Sequence, residues 1–509
     1  MGWNLGELLA KYDVPGAQVA VLADGEIRDE AAGLLSVRTR VEATTDSVFK
    51  IGSITKIWTA TLIQQLVDDG VLDLDRPVRD YLPGFQLSDP IATASLTARH
   101  LLTHTGGIDG NHFTDTGRND DAIEKFVATL AEADQLFPPD TVFSYSNSGY
   151  VVLGRLVEVL RDKPFHDVLR ERLVTPLGLH TAATDTYEAI LNRAAVGHIR
   201  TGGKIVPAKN WAVSYYAAPS GSHLAISARD LLEFVRLHLA DHSLAALREP
   251  QVESVPDFGG GVIGWGLGWM LYQDGVVGHT GVSKGQKAFL RVVPSAGVAV
   301  AVLTNSTGGE PLAYEIFGAA LRELADVETA PLPLPPVNPT AIDADRMCGT
   351  YRSTLFDITL TGENDRAFLT YRPRNERAES ILRRSEDRVE VVRLNDSSVI
   401  TAESKSDGHE VLSLVGSDGH GRAAFCTTAP PPTVSTDGSH LRRAQRPNTT
   451  ILGMSHNPLI SWHLRQPDRV AGGTPCTPPR SSSRTTCSTS TPCDCSAARL
   501  TIADALRTE

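Results

Sequence analysis

"FKIGSITKIWTATLIQQLVDDG", residues 49–70, sets a serine and a lysine three positions apart at the head of a strongly apolar segment. Ile54, Ile57, Trp58, Leu62, Ile63, Leu66 and Val67 follow a helical period and spread so widely round the helix that most of its surface must be buried. Gly70 supplies the stop. On such a helix Ser53 and Lys56 share a face about one turn apart, with their side chains within reach of each other. Two readings follow. Either Ser53 caps the helix while Lys56 snorkels to water, or a lysine that is costly to bury is kept there because the serine uses it.

The rest of the chain decides between them. Serine attacks a carbonyl efficiently only when a base takes its proton. Lysine can be that base once burial or a second cation brings its pKa well below about 10.4. "YSN", Tyr145 to Asn147, is the only Tyr-x-Asn in the chain and stands just before an apolar helical pattern starting near Gly149. His-Thr-Gly occurs twice. His104–Gly106 follows a helical stretch and runs into glycines, which reads as a structural loop. His279–Gly281 lies on or beside a strand preceding a hairpin, where a sheet edge can offer backbone N–H groups to a substrate.

Ser-x-x-Lys, Tyr-x-Asn and His-Thr-Gly, in that order, resemble the three motifs of the penicillin-recognising serine hydrolases: class C β-lactamases, D-alanyl-D-alanine carboxypeptidases, D-aminopeptidases and β-lactamase-like esterases. The likeness continues through "VFKIGSITK", "HLLTHTGGI", "FSYSNSGYVVLG", "TPLGL" and "GHTG" and covers about residues 1–325. It implies that Ser53 is the acylated nucleophile and that Lys56 and Tyr145 share the acid–base work. Asn147, His279, Thr280, Gly281 and Val282 would then bind substrate, with the Ser53 and Val282 N–H groups forming an oxyanion hole. His279 stands where many relatives have lysine. The resemblance implies a small-molecule acyl substrate and no cofactor or metal.

The implied fold is α+β of the β-lactamase/transpeptidase type. "AQVAVLADGEIRDEAAG" (17–33) reads as a hairpin turning at Asp24-Gly25, and "KAFLRVVPSAGVAVAVLTN" (287–305) as a second one turning at Pro294–Gly297. Between them the patterns are mainly helical, including "DAIEKFVATLAEA", "SGYVVLGRLVEVL" and "SARDLLEFVRLHLA"; "EPLAYEIFGAALREL" closes the unit. An antiparallel sheet built from both ends of residues 1–325, with a helical lobe inserted, is the expected architecture. A proline-rich linker follows at 326–342, and a small antiparallel β domain at 343–429, read from alternating segments such as "FDITLTG" and "EVLSLVG". From Pro430 the chain turns rich in Pro, Ser, Thr and Arg without a period, which reads as disorder, and the abruptness of the break raises out-of-frame translation as an explanation.

Composition narrows the partners. The 509-residue chain has a net charge of -12, which disfavours binding to nucleic acid or to an anionic membrane. No stretch is apolar for long enough to span a bilayer, and the N-terminus lacks a basic leader with an apolar core, so a cytoplasmic location is expected. Four of the six cysteines, Cys476, Cys487, Cys493 and Cys495, crowd a segment with no histidine and no zinc-finger spacing, so no metal site is expected.

Two rivals remain. "GVSKG" (281–285) matches the Gly-x-Ser-x-Gly elbow of α/β-hydrolases, but Ser283 is followed by a β pattern where the elbow needs a helix. A catalytically idle ligand-binding protein would have no use for Lys56 beside Ser53. The leading expectation is an esterase or amidase on small acyl substrates; a D-specific peptidase or a β-lactamase is the alternative.

Overall fold

A computed structural model describes residues 3–330, apart from 111, 113, 202–203, 212–213, 254 and 256–260, and then 348–352, 356–363, 366–376, 378–379, 388–391, 400–404, 410–414 and 424–428. The chain begins with helix α1 (Leu5–Tyr12) and the hairpin β1 (Gly16–Ala23) and β2 (Glu26–Gly33). Its turn residues Asp24 and Gly25 both take positive φ, 51° and 77°, as a two-residue hairpin requires. Strands β3 (Val262–Trp265), β4 (Met270–Tyr272), β5 (Val277–Ser283), β6 (Gln286–Val293) and β7 (Val298–Thr304) come from the far end of the unit. They join the hairpin in one seven-stranded sheet of order β2-β1-β7-β6-β5-β4-β3. The two ends of the unit meet where β1 pairs antiparallel with β7, Ala17 opposite Thr304 and Leu22 opposite Ala299. The sequence reading of one sheet made from both ends therefore holds.

Strands β6 and β7 are buried along their whole length. That explains why they read as continuous apolar runs: both faces of the sheet are covered. Val19, Val300 and Val302 pack on one face with Leu5 of α1 and with Leu312, Ile316 and Phe317 of the closing helix, Glu310–Ala325. Ala20, Ala301 and Leu303 pack on the other face with the helical lobe. Within the lobe, helix α2 (Thr55–Asp68) is the central element, and eleven of its fourteen residues are buried. Gly70 terminates it with φ of 68°. Helix α3 (Asn147–Arg161) and helix α4 (Ala228–Ala240) pack around it. Trp58 of α2 stacks on Phe234 of α4 with ring centroids 3.8 Å apart.

The small C-terminal sheet is separate and antiparallel, with seven strands: β8 (Gly349–Arg352), β9 (Phe356–Glu363), β10 (Arg366–Pro373), β11 (Arg388–Val391), β12 (Ile400–Ser404), β13 (Glu410–Leu414) and β14 (Ala424–Thr428), in the order β11-β10-β9-β8-β14-β13-β12. The proline-rich linker falls largely, and the tail from Pro430 wholly, outside the described residues. Among the described residues no helix is long and apolar enough to cross a membrane.

The Trp58–Phe234 stack is the main aromatic tie between α2 and α4. Trp58→Ala should lower the free energy of unfolding by about 3–5 kcal/mol through the cavity it leaves, measured by denaturant titration of residues 1–330 or of the whole chain.

Candidate active site

The serine is placed by a short run of backbone with little freedom. Phe49–Lys50 forms a two-residue strand against Ala225–Ile226. The chain then turns through Gly52, at φ of 53°, into a single 3-10 turn, Gly52–Ile54, that leads directly into α2. Ser53 thus sits on the turn before the helix and not in the helix itself, but the spacing still delivers its side chain. Lys56 Nζ lies 3.3 Å from Ser53 Oγ. Lys56 is fully buried, which rules out snorkelling to water. Its Nζ also donates to Asn147 Oδ1 at 2.7 Å and to the Ser220 carbonyl at 2.7 Å. Those two acceptors fix the amine beside the serine hydroxyl.

Asn147 opens α3, and Ser146 caps that helix by accepting from the Gly149 N–H at 3.1 Å. Tyr145 immediately precedes the cap and is buried, with its ring 4.9 Å from Lys56 Nζ. Tyr150, one turn into α3, presents its ring 5.3 Å from the same nitrogen. The Tyr-x-Asn motif therefore converges on Lys56 from both ends.

Strand β5 supplies the third side. His279 is buried, and its ring centroid lies 6.5 Å from that of Tyr145 and 5.7 Å from that of Trp265. Its Nδ1 is 2.7 Å from the Thr280 carbonyl. Alternation along the strand turns Thr280 to the opposite face of the sheet, where it hydrogen-bonds Tyr272. Gly281 is required by contact: a Cβ there would lie 1.7 Å from the Ile51 carbonyl and 3.0 Å from the Ser53 nitrogen. A Cβ on Gly52 would lie 2.5 Å from the Val282 nitrogen, so the strand and the serine turn touch backbone to backbone. Gly221, at φ of 127°, closes against the same turn; a Cβ there would be 2.8 Å from the Ser53 nitrogen.

Sequence reasoning passed over several members of this cluster. Ser220 contributes only a backbone carbonyl, and nothing in its residue type marks it. A second Ser-x-x-Lys, Ser47 to Lys50, also occurs, but its side chains serve elsewhere. Ser47 Oγ accepts from the Thr44 N–H at 3.0 Å. Lys50 Nζ donates to the Ser222 carbonyl at 3.0 Å and lies 4.2 Å from the centre of the Trp211 ring. Burial, helped by the nearby Lys284 charge, pushes the Lys50 pKa down to about 7. The rival Ser283 sits at the end of β5, and Lys284-Gly285 turns straight back into β6, with Ser283 paired to Gln286. A hairpin, and no helix, follows it, so the geometry of a nucleophile elbow is absent there.

The fold and this arrangement define a class that comparison bears out. The β-lactamase family matches residues 4–323, and the chain belongs to that family. It is 42% identical over 360 residues to "Penicillin-binding protein 4" of Amycolatopsis lactamdurans, covering 68% of this chain and 94% of the relative. Among solved structures it is similar to SurE with D-Leu, at 29% identity and a TM-score of 0.62, over 83% of this chain and 97% of that one. It is also similar to the D-amino acid amidase of Ochrobactrum anthropi SV3, at 25% identity and a TM-score of 0.52, over 59% of this chain and 88% of that one.

The contact between β5 and the serine turn generates a prediction. Gly281→Ala cannot be accommodated without separating Ser53 from the strand, so it should reduce acylation of Ser53 by at least about 100-fold, as expected when reacting groups are displaced by an ångström. Intact-mass detection of the acylated protein reads the loss.

Proposed function

We propose that the protein is a serine hydrolase that forms an acyl-enzyme on Ser53, an esterase or amidase on small acyl substrates whose reacting carbonyl belongs to a D-amino acid. The observation that carries the reading is Lys56, fully buried and held between Ser53 Oγ, Asn147 Oδ1 and the Ser220 carbonyl. Ser53 Oγ attacks the carbonyl carbon as its proton passes to the Lys56–Tyr145 pair. The tetrahedral oxyanion is stabilised by the Ser53 and Val282 N–H groups, and the proton is returned to the departing amine or alcohol. Water then repeats the sequence and releases the acid. Asn147, His279 and Gly281 border the substrate, with His279 tuning charge near the leaving group, while the Thr280 side chain faces away from it.

The D configuration is supported by the likeness to SurE, solved with D-Leu, and to an enzyme that is a D-amino acid amidase. A panel of D- and L-amino acid p-nitrophenyl esters, D- and L-phenylalanine amides and nitrocefin should show turnover of D over L substrates by at least about tenfold. Equal or faster turnover of the L series would remove the stereochemical part of the proposal. Ser53→Ala should abolish acylation while costing only about 1 kcal/mol of stability, the net worth of one hydrogen bond, and Ser283→Ala should retain it. Activity surviving in Ser53→Ala would overturn the assignment.

Lys56 and Tyr145 are assigned to one proton. Lys56→Ala and Tyr145→Phe should therefore each lower turnover by orders of magnitude, and the double variant should be little worse than either, because groups that act as a unit are strongly non-additive. Losses that multiply would assign them to separate steps.

A further inference from the structure

His104, the head of the first His-Thr-Gly, is not used by the mechanism above, yet it holds Tyr145 from three directions. Its carbonyl accepts from the Ser144 N–H at 2.8 Å, on one side of Tyr145. Its Nδ1 accepts from the Ser146 N–H at 3.0 Å, on the other side. Its ring lies against the Tyr145 ring, with centroids 4.2 Å apart, and against Trp265 and Tyr150 at 4.9 and 5.1 Å. A residue two hydrogen bonds deep in its neighbours' backbone, with its ring packed at a tilt against the side chain between them, fixes both the position and the tilt of that side chain.

The loop around His104 is shaped for this purpose. His104 takes a left-handed φ of 61°, a conformation uncommon for a residue other than glycine. Gly107 follows with φ of 71°, where a Cβ would meet the Phe137 carbonyl at 2.0 Å. At Gly110 a Cβ would lie 2.7 Å from the Tyr145 carbonyl and 3.0 Å from Ser146 Cα. The left-handed backbone and Gly110 let the turn lie directly on the Tyr145–Ser146 segment, while Gly107 seats it against Phe137. A histidine needed only to fill the core would require neither the Nδ1 contact nor the left-handed φ. Because Nδ1 accepts a hydrogen bond, the proton of the neutral ring resides on Nε2.

We infer that His104 is the positioning residue of Tyr145: through its Nδ1 and its ring it sets the phenol in the place where it exchanges a proton with Ser53 and Lys56. The inference rests on the role given to Tyr145 under the proposed function. It assigns the second histidine motif a part in turnover without direct contact with substrate.

A double-mutant cycle on Ser53 acylation, followed with a D-amino acid p-nitrophenyl ester, tests it. In the wild-type background His104→Leu, which keeps bulk but loses the acceptor, should lower kcat about 100-fold with KM changed by less than about threefold. In a Tyr145→Phe background the same substitution should cost less than about threefold more, since the residue it positions no longer carries a proton. His104→Asn places an amide oxygen near the site of Nδ1 and tolerates positive φ, so it should recover activity to within about tenfold of wild type. Circular dichroism and thermal melting check that each variant is folded. A full additional loss from His104→Leu in the Tyr145→Phe background would show a general structural role and overturn the inference. So would a folded His104→Asn as inactive as Tyr145→Phe, a result that decides the matter even if His104→Leu does not fold. Tyr145→Phe with undiminished turnover would overturn the role of Tyr145 itself and this inference with it; a crippled Tyr145→Phe beside a fully active His104→Leu would overturn only the latter.

Discussion

The site depends on one buried amine. Lys56 has no exposed surface, and its Nζ is shared among a hydroxyl, an amide oxygen and a backbone carbonyl. Removing an ammonium from water costs several kcal/mol unless its protons are taken up. Here the acceptors are neutral oxygens, which satisfy N–H bonds without neutralising a positive charge. Such surroundings hold the amine within reach of the serine hydroxyl. They also require Asn147 and Ser220 to be held rigidly, because each comes from a different part of the lobe and a displaced acceptor would leave a buried donor unsatisfied. The motifs are spread over the chain for this reason: Ser53 and Lys56 come from one helix start, the acceptors of Lys56 from α3 and from the turn ending at Ser220.

Close backbone approach is the second constraint. Gly52, Gly221 and Gly281 meet around the Ser53 nitrogen at distances no side chain could occupy. Two of them also carry positive φ. Glycine is tolerated there at an entropic cost in the unfolded chain, which is offset because strand, serine turn and lobe become a single packed unit. The geometry around Ser53 is thereby tied to the packing of the sheet against α2.

Much of this was legible in the sequence, and the reasons differ by element. The β1–β2 hairpin, the β6–β7 hairpin and helices α2, α3 and α4 follow from local signals: Asp24-Gly25, the Pro294–Gly297 turn, Gly70, and apolar residues at helical spacing. Ser53, Lys56, Tyr145, Asn147 and His279 were marked by residue type in an ordered series of motifs, and they converge in space. Ser220 could not be found, because a carbonyl is common to every residue. His104 was read as a structural loop residue from its glycine-rich surroundings. Its ring contact with Tyr145 depends on two segments about forty positions apart meeting in space, which no local pattern reports. Lys50 shows the reverse hazard: it completes a second Ser-x-x-Lys, yet a two-residue strand directs it toward Trp211 and Ser222 and away from Ser47.

The far side of the sheet explains how β5 keeps its register. Lys287 of β6 stands opposite Val282 of β5, and Arg291 stands opposite Gly278. Both basic side chains point away from the lobe, toward the closing helix. There Lys287 pairs with the buried Glu310 at 3.3 Å, and the Arg291 guanidinium lies 4.0 Å from the centre of the Tyr272 ring. Burial pushes the Glu310 carboxyl upward, and the attraction of Lys287 opposes that push. Such a pair adds little net stability over apolar packing, but it penalises error heavily. A one-residue slip of β6 would turn Lys287 and Arg291 into the apolar core of the lobe and leave Glu310 buried alone. A slip shared by β5 would turn His279 and Gly281 to the other face and away from Tyr145 and Ser53, because every side chain on a strand changes face when its register moves by one. The buried ion pair on one face of the sheet thus resists the misalignment that would dismantle the serine site on the other.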